Sequence, residues 1–209
     1  LTKALVEANL ERLANRGDPD LLYVGLNDRD PAWHDLYRVR LSTGERTLLR
    51  QNTERISGWV FDLEGTLRVA VRTTEQGDTE LLRVDPQGLT PLSRCGVLET
   101  CRPVRMHKDG KRLYLVTNRG KADLSRLVLL DLATGKEALV ESDPRKAVDF
   151  GRALFSEATD ELVATVYVAD RLRYQFRNPR VAADHALLAR KLPGKDLTVS
   201  SASADDRFC

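Results

Sequence analysis

Two kinds of turn punctuate this chain with a shared period. Strand-like runs that stop at glycine, "LYRVRLSTG", "LLRVDPQG" and "LVLLDLATG", end at Gly44, Gly88 and Gly135, spaced 44 and 47 residues apart. A second set, "GWVFDLEG", "PVRMHKDG", "ALFSEATD" and "VSSASADD", ends at Gly65, Gly110, Asp160 and Asp206, spaced 45, 50 and 46 residues apart. Gly and Asp suit the tight, positive-φ turns that hairpins need. A period in the forties with several short strands per unit is the signature of β-propeller blades. A generic antiparallel sandwich also has short strands, but nothing in it makes two turn signals recur in step.

Each unit divides into four strands. In the second unit these are Gly58–Asp62, Thr66–Thr73, Glu80–Asp85 and a short outer strand, Leu89–Leu92. The third repeats them as Val104–His107, Arg112–Thr117, Leu127–Asp131 and Glu137–Val140. The middle strands are near-continuous apolar runs, "RLYLVTN" and "RLVLLDL", as expected for strands covered on both faces. Two segments depart from the pattern. Thr2–Arg16, with Leu5, Val6, Leu10 and Leu13 near one face, reads as an amphipathic helix stopped by Gly17. Val181–Leu192 reads as a second helix, capped by Asp184 and ended by Pro193-Gly194. The expected fold is therefore all-β: a partial β-propeller of four to five four-stranded blades with two short helices. Residues 1–17 form an N-terminal helical segment and residues 18–209 the propeller domain.

Composition narrows the function. The net charge is +2, with acids and bases interspersed and only 6% aromatics, so there is no basic stripe for nucleic acid. No apolar run approaches the ~20 residues of a membrane helix, and no membrane partner is expected. Cys95 and Cys101 could close a small disulfide in an oxidising compartment, but the reading favours two free thiols. Cytoplasmic and periplasmic locations both fit. The chain starts at Leu1 rather than Met, as a processed or excised chain would.

The segment "LNDRDPAWHDLYRVRLSTGE", with "DGKRLYLVTNRGKADLSRLVLLDLATGKE" and "ALLARKLPGKDLTVSSASADDR", resembles the propeller domain of prolyl oligopeptidase family serine peptidases. The likeness is to their bacterial dipeptidyl-aminopeptidase and acylaminoacyl-peptidase members. It covers roughly residues 18–207. It implies a seven-bladed propeller that caps an α/β-hydrolase domain and gates peptides toward a Ser-Asp-His triad in that domain. This chain has no Gly-x-Ser-x-Gly elbow. Seven blades would need roughly 315 residues. The chain thus reads as an excised or truncated piece, with the α/β-hydrolase domain as missing partner.

No catalytic, cofactor-binding or metal-binding residue is assigned, no cofactor is expected, and no binding residue carries over from the family. His34 in a loop, His107 at a strand end and His185 in a helix share no metal-ligand spacing. The pairs Asp28/Asp30 and Asp205/Asp206 read as turn caps rather than acid/base pairs. The turn Asn27-Asp28-Arg29-Asp30-Pro31 has two readings. It is a structural corner with Arg29 forked onto a carboxylate such as Asp35. Or Arg29 faces a channel and binds a peptide carboxylate. The corner is favoured. Trp59 is expected to pack between blades, Tyr167, Tyr174 and Phe176 in core and rim, and Arg171–Arg180 along a solvated rim.

The function expected is the non-catalytic, substrate-gating propeller portion of a serine peptidase acting on peptides. The alternative is a stand-alone propeller-like interaction module or a truncated remnant with no enzyme attached. A small-propeller metal enzyme would need carboxylates and His clustered on the axis. Open sheet edges predict self-association or edge protection by the helices.

Overall fold

The structure, a computed structural model, describes residues 8–12, 18–120 and 122–207. Among these residues, fifteen strands form four antiparallel sheets, and one helix follows them. The first sheet runs in the order β1 (Ala8–Arg12), β2 (Leu21–Asp30), β3 (Trp33–Arg40), β4 (Arg46–Arg50). The second is β5 (Ile56–Phe61), β6 (Leu67–Thr73), β7 (Thr79–Asp85), β8 (Gly88–Cys95). The third is β9 (Cys101–Met106), β10 (Arg112–Thr117), β11 (Arg126–Asp131), β12 (Glu137–Glu141). The fourth has three strands, β13 (Phe150–Phe155), β14 (Leu162–Val168) and β15 (Leu172–Phe176), before α1 (Pro179–Lys191). Each sheet is a meander of sequential neighbours, the topology of a propeller blade. The fold is a partial β-propeller of four blades, the low end of the expected count.

The two turn phases occupy defined places in the blades. Gly44, Gly88 and Gly135 lie at the junctions of third and fourth strands; Gly65, Gly110 and Asp160 lie between first and second. All six, and Asp206, have φ between 56° and 149°. In an up-and-down blade these two connections share one end. The second-to-third hairpins and the loops between blades share the other. Asp160 and Asp206 take up at φ 59° and 56° what glycine does elsewhere, a conformation Asp tolerates.

The chain divides into two compact units, Leu1–Leu115 with Leu130–Glu137 and Val116–Leu129 with Ala138–Cys209. In the first, the core is Tyr23, Leu36, Ile56, Trp59, Phe61, Ala70 and Leu82, contributed by the first two sheets. The Tyr23 and Phe61 rings lie 4.5 Å apart, and Trp59 is buried between the blades, as expected. Burial of such large side chains stabilises by about 1.5–3 kcal/mol each. In the second unit, Val163–Tyr167 of β14 is buried without interruption, so both faces are covered. Phe150 meets Tyr167 edge-on at 5.7 Å.

Three expectations are corrected. Within Thr2–Arg16, Ala8–Arg12 is a strand, not a helix, and pairs antiparallel with β2 from Ala8↔Leu26 to Arg12↔Tyr23. Ladder bonds to β2 outweigh a helical spacing that Asn9 already interrupts. The rest of that segment lies outside the described residues. The remaining helix starts earlier than expected, at Pro179, and its cap is Asn178, which accepts from the N–H groups of Arg180 and Val181 at 2.9 and 3.3 Å. Asn at the cap followed by Pro at the first turn is a stronger start signal than Asp184. Finally, Cys95 and Cys101 form a disulfide, with Cα atoms 5.9 Å apart, rather than two free thiols. The end of β8 and the start of β9 bring them together.

Candidate functional site

The second-to-third hairpins and the inter-blade loops carry the polar clusters. β2 runs through Asp30, and the turn itself is only Pro31-Ala32, so Asn27–Asp30 belong to an irregular strand end rather than to the turn. Asp30 accepts from the Ala32 N–H at 2.9 Å, and Asn27 donates to the Pro31 carbonyl at 3.3 Å. Arg29 is forked on Asp35: Nε to Oδ2 is 2.6 Å and Nη2 to Oδ1 is 2.8 Å. Nη2 also donates to the Asn52 carbonyl at 3.1 Å. Asp35 is fully buried and accepts the Asn52 N–H at 2.7 Å. Asn52 in turn donates to the carbonyls of His34 and Ile56 and accepts the Ile56 N–H. The corner ties β2, β3 and the loop before β5 together. The Arg29 bond holds the Asp35 carboxyl below its ordinary range despite burial. Two of the Arg29 nitrogens are occupied by Asp35, the fork that the corner reading expects.

The second unit builds a similar joint from different residues. Asp143, in the loop after β12, is buried and accepts both terminal nitrogens of Arg173 at 3.0 and 2.9 Å. The N–H groups of Arg145, Ala147 and Val148 also point at it. The Arg173 bonds drive its carboxyl well below the usual range. Arg173 stands over the Tyr167 ring at 5.8 Å. The Tyr167 hydroxyl donates to Glu141 at 2.9 Å, Thr165 does likewise, and Arg177 reaches the other Glu141 oxygen at 2.8 Å. Burial, then Glu141, push the Tyr167 phenol up. In the Arg171–Arg180 stretch Arg171, Arg177 and Arg180 are exposed, as on a solvated rim, and three of its arginines also anchor it: Arg171 to Asp196, Arg173 to Asp143, Arg177 to Glu141. Tyr174 and Phe176 stack 5.4 Å apart and seat His185 of α1.

The other flagged residues do not converge. His34 lies in β3 rather than a loop, His107 just beyond β9, and His185 in α1. Among the described residues no group of three or more His, Cys, Asp and Glu could hold a metal ion. No helix among them is long and apolar enough to cross a membrane. Asp28 binds Tyr37 and Arg46, while Asp206 accepts from Ser156 Oγ and the Glu157 N–H. These carboxylates fasten strands and turns.

An open basin of about 470 Å³ lies in the first unit between Thr53, Glu54, Arg55, Arg72, Glu80 and Arg94, with the β6–β7 hairpin on its rim. Its charges pair: Arg72 with Glu80 at 2.7 Å and Glu54 at 3.2 Å, Arg55 with Glu75 at 3.8 Å. It offers mixed charge rather than one sign. Sequence reasoning missed it because its members come from the loop before β5, the β6–β7 hairpin and the strands β6, β7 and β8, which meet only in the folded sheet.

The blades and their polar joints define a propeller scaffold, and the chain is similar to known proteins as follows. No family profile matches the chain. It is homologous to dipeptidyl aminopeptidase BIII of Pseudoxanthomonas mexicana, 35% identical over 193 residues, covering 90% of this chain and 27% of that protein. Dipeptidyl peptidase family member 6 of Caenorhabditis elegans is 24% identical over 225 residues, covering 97% of this chain and 28% of that protein. The chain therefore spans about a quarter of the length of these relatives. Among solved structures, TolB from Acinetobacter baumannii superposes with a TM-score of 0.53 at 17% identity, over 76% of this chain and 39% of TolB, which speaks to the fold alone.

Proposed function

We propose that this chain is the non-catalytic propeller portion of a serine peptidase of the prolyl oligopeptidase family, and that it gates peptides toward an α/β-hydrolase domain. The observation that carries this is the extent of the homology: 90% of the chain matches a dipeptidyl aminopeptidase, and only 27% of that enzyme is matched. The propeller architecture and the absence of a Gly-x-Ser-x-Gly elbow from the sequence agree with it. The polar groups of this chain serve as joints between strands and loops, the work of a scaffold. The peptide substrates and the hydrolase partner belong to this proposal.

The test is a hybrid in which this chain replaces the matched segment of dipeptidyl aminopeptidase BIII. The hybrid is expected to release dipeptides from dipeptidyl chromogenic substrates and to react with a fluorophosphonate. This chain alone is expected to do neither. Fluorophosphonate labelling of the isolated chain, or a folded hybrid with no turnover, overturns the reading.

The interaction-module reading draws support from the outer strands. Leu48 on β4 and Leu139 on β12 are 49% and 64% exposed on sheet edges, where unpaired ladder groups invite another chain. Self-association would appear in concentration-dependent light scattering. A mass equal to one chain across the range excludes it.

A further inference from the structure

Helix α1 is held by half its length. Val181, Ala182 and His185 are half-buried, and the His185 ring rests on Tyr174 and Phe176 at 4.5 and 5.1 Å. Residues 186–191 are all exposed, and the helix has no fully buried residue. The free half is not polar. Leu187 and Leu188 are 45% and 44% exposed. Two adjacent leucines on a free helical turn leave apolar surface that gains by leaving water.

The charges around them form a pattern. Asp184, Leu187, Leu188 and Lys191 are spaced i, i+3, i+4 and i+7, so they share one face of the helix. Asp184 does not cap the helix, since Asn178 does. Among the described residues, neither the Asp184 nor the Lys191 side chain has a hydrogen-bond or ion-pair partner.

This face is its own complement. When a second α1 lies antiparallel, with the two-fold axis between Leu187 and Leu188, Leu187 comes level with Leu188 and Asp184 with Lys191, once on each side. Both spare charges are then paired, and the leucines lie between them as an apolar centre inside a charged rim. A parallel pairing sets Asp184 on Asp184 and Lys191 on Lys191, so charge selects the antiparallel one. Arg180 and Lys195 come level at the outer ends, past the helical overlap, where water and salt screen like charges. A two-fold contact of this kind closes on two chains. We propose that the free half of α1 is a homodimer contact, an antiparallel helix pair centred on Leu187 and Leu188, whose occupant is a second copy of this chain. It depends neither on the peptidase reading nor on pairing of the sheet edges. The overlap is short, so the dimer is expected to be weak, with a dissociation constant on the order of 10–100 µM.

Sedimentation equilibrium of the chain from about 1 to about 500 µM tests it. The wild-type mass is expected to rise from that of one chain toward that of two. Asp184→Lys opposes lysine to lysine at both ends of the pair, and Lys191→Asp opposes acid to acid. Each variant alone is expected to associate about tenfold or more weakly than wild type. Mixed in equal amounts, the two variants present opposite charges at both contacts and are expected to associate as wild type does. That rescue also shows that each variant is folded. A mixture no more associated than its parts overturns the helix pair, as does a wild type that stays one chain throughout the range. Association that survives both charge variants and is lost in Leu139→Lys overturns it too, and places the contact on the edge of β12.

Discussion

Arg173 meets Asp143 edge to edge, Nη1 on Oδ1 at 3.0 Å and Nη2 on Oδ2 at 2.9 Å, and three loop N–H groups close on the same carboxylate. A buried carboxylate so surrounded is ionised in the fold over nearly the whole pH range. Its folded pKa lies below its unfolded value of about 3.9, so its stabilisation is complete above that pH and lost as pH falls through the folded value. Thermal melts from neutral to acid pH are expected to show the wild-type midpoint falling below about pH 4. Asp143→Asn should start roughly 5–10 °C lower at neutral pH and fall less steeply in acid. Parallel acid limbs for the two proteins would remove Asp143 from this role.

Arg29 makes a side-on fork that lysine cannot copy. Arg29→Lys retains a charge near Asp35 but loses the paired bonds and the reach to the Asn52 carbonyl. Thermal melts are expected to rank wild type above Arg29→Lys, and Arg29→Lys above Arg29→Ala. Equal midpoints for wild type and Arg29→Lys would show that charge alone suffices.

Trp59 belongs to one buried core cluster with Tyr23, Leu36, Phe61 and Leu82. Trp59→Ala opens a cavity between the first two blades and is expected to cost about 3–5 kcal/mol in urea unfolding. Trp59→Phe should cost less. A loss under about 1 kcal/mol for Trp59→Ala would mean that the blades close over the gap.

The Cys95–Cys101 cross-link closes a short loop, and its loss in Cys95→Ser/Cys101→Ser is expected to cost about 2 kcal/mol. Thiol titration of the denatured chain should find two more reactive thiols after reduction than before. The same count in both states would show that the pair is not oxidised.

Much of the blade architecture was legible in the sequence, because hairpin chemistry is local. A turn that needs positive φ leaves Gly or Asp at a fixed phase, and the seven positions so marked all adopt it. Apolar runs such as that of β10 announced burial on both faces. The joints were less visible. Asp35 was readable as a partner for Arg29, six residues away on the next strand. Asp143 and Arg173 lie 30 residues apart and meet only once β15 is in place. Ala8–Arg12 misled because its spacing suits a helix, whereas its pairing with β2 is a tertiary fact. The disulfide depended on where two strand ends arrive.

Asp206 stands one turn phase beyond Asp160, and its carboxylate reaches back across the chain to Ser156 and the Glu157 N–H. The consequence is mechanical. Tension applied just beyond Asp206 is carried into the turn between β13 and β14, through the bonds to Ser156 and Glu157, before it reaches the ladder of a strand.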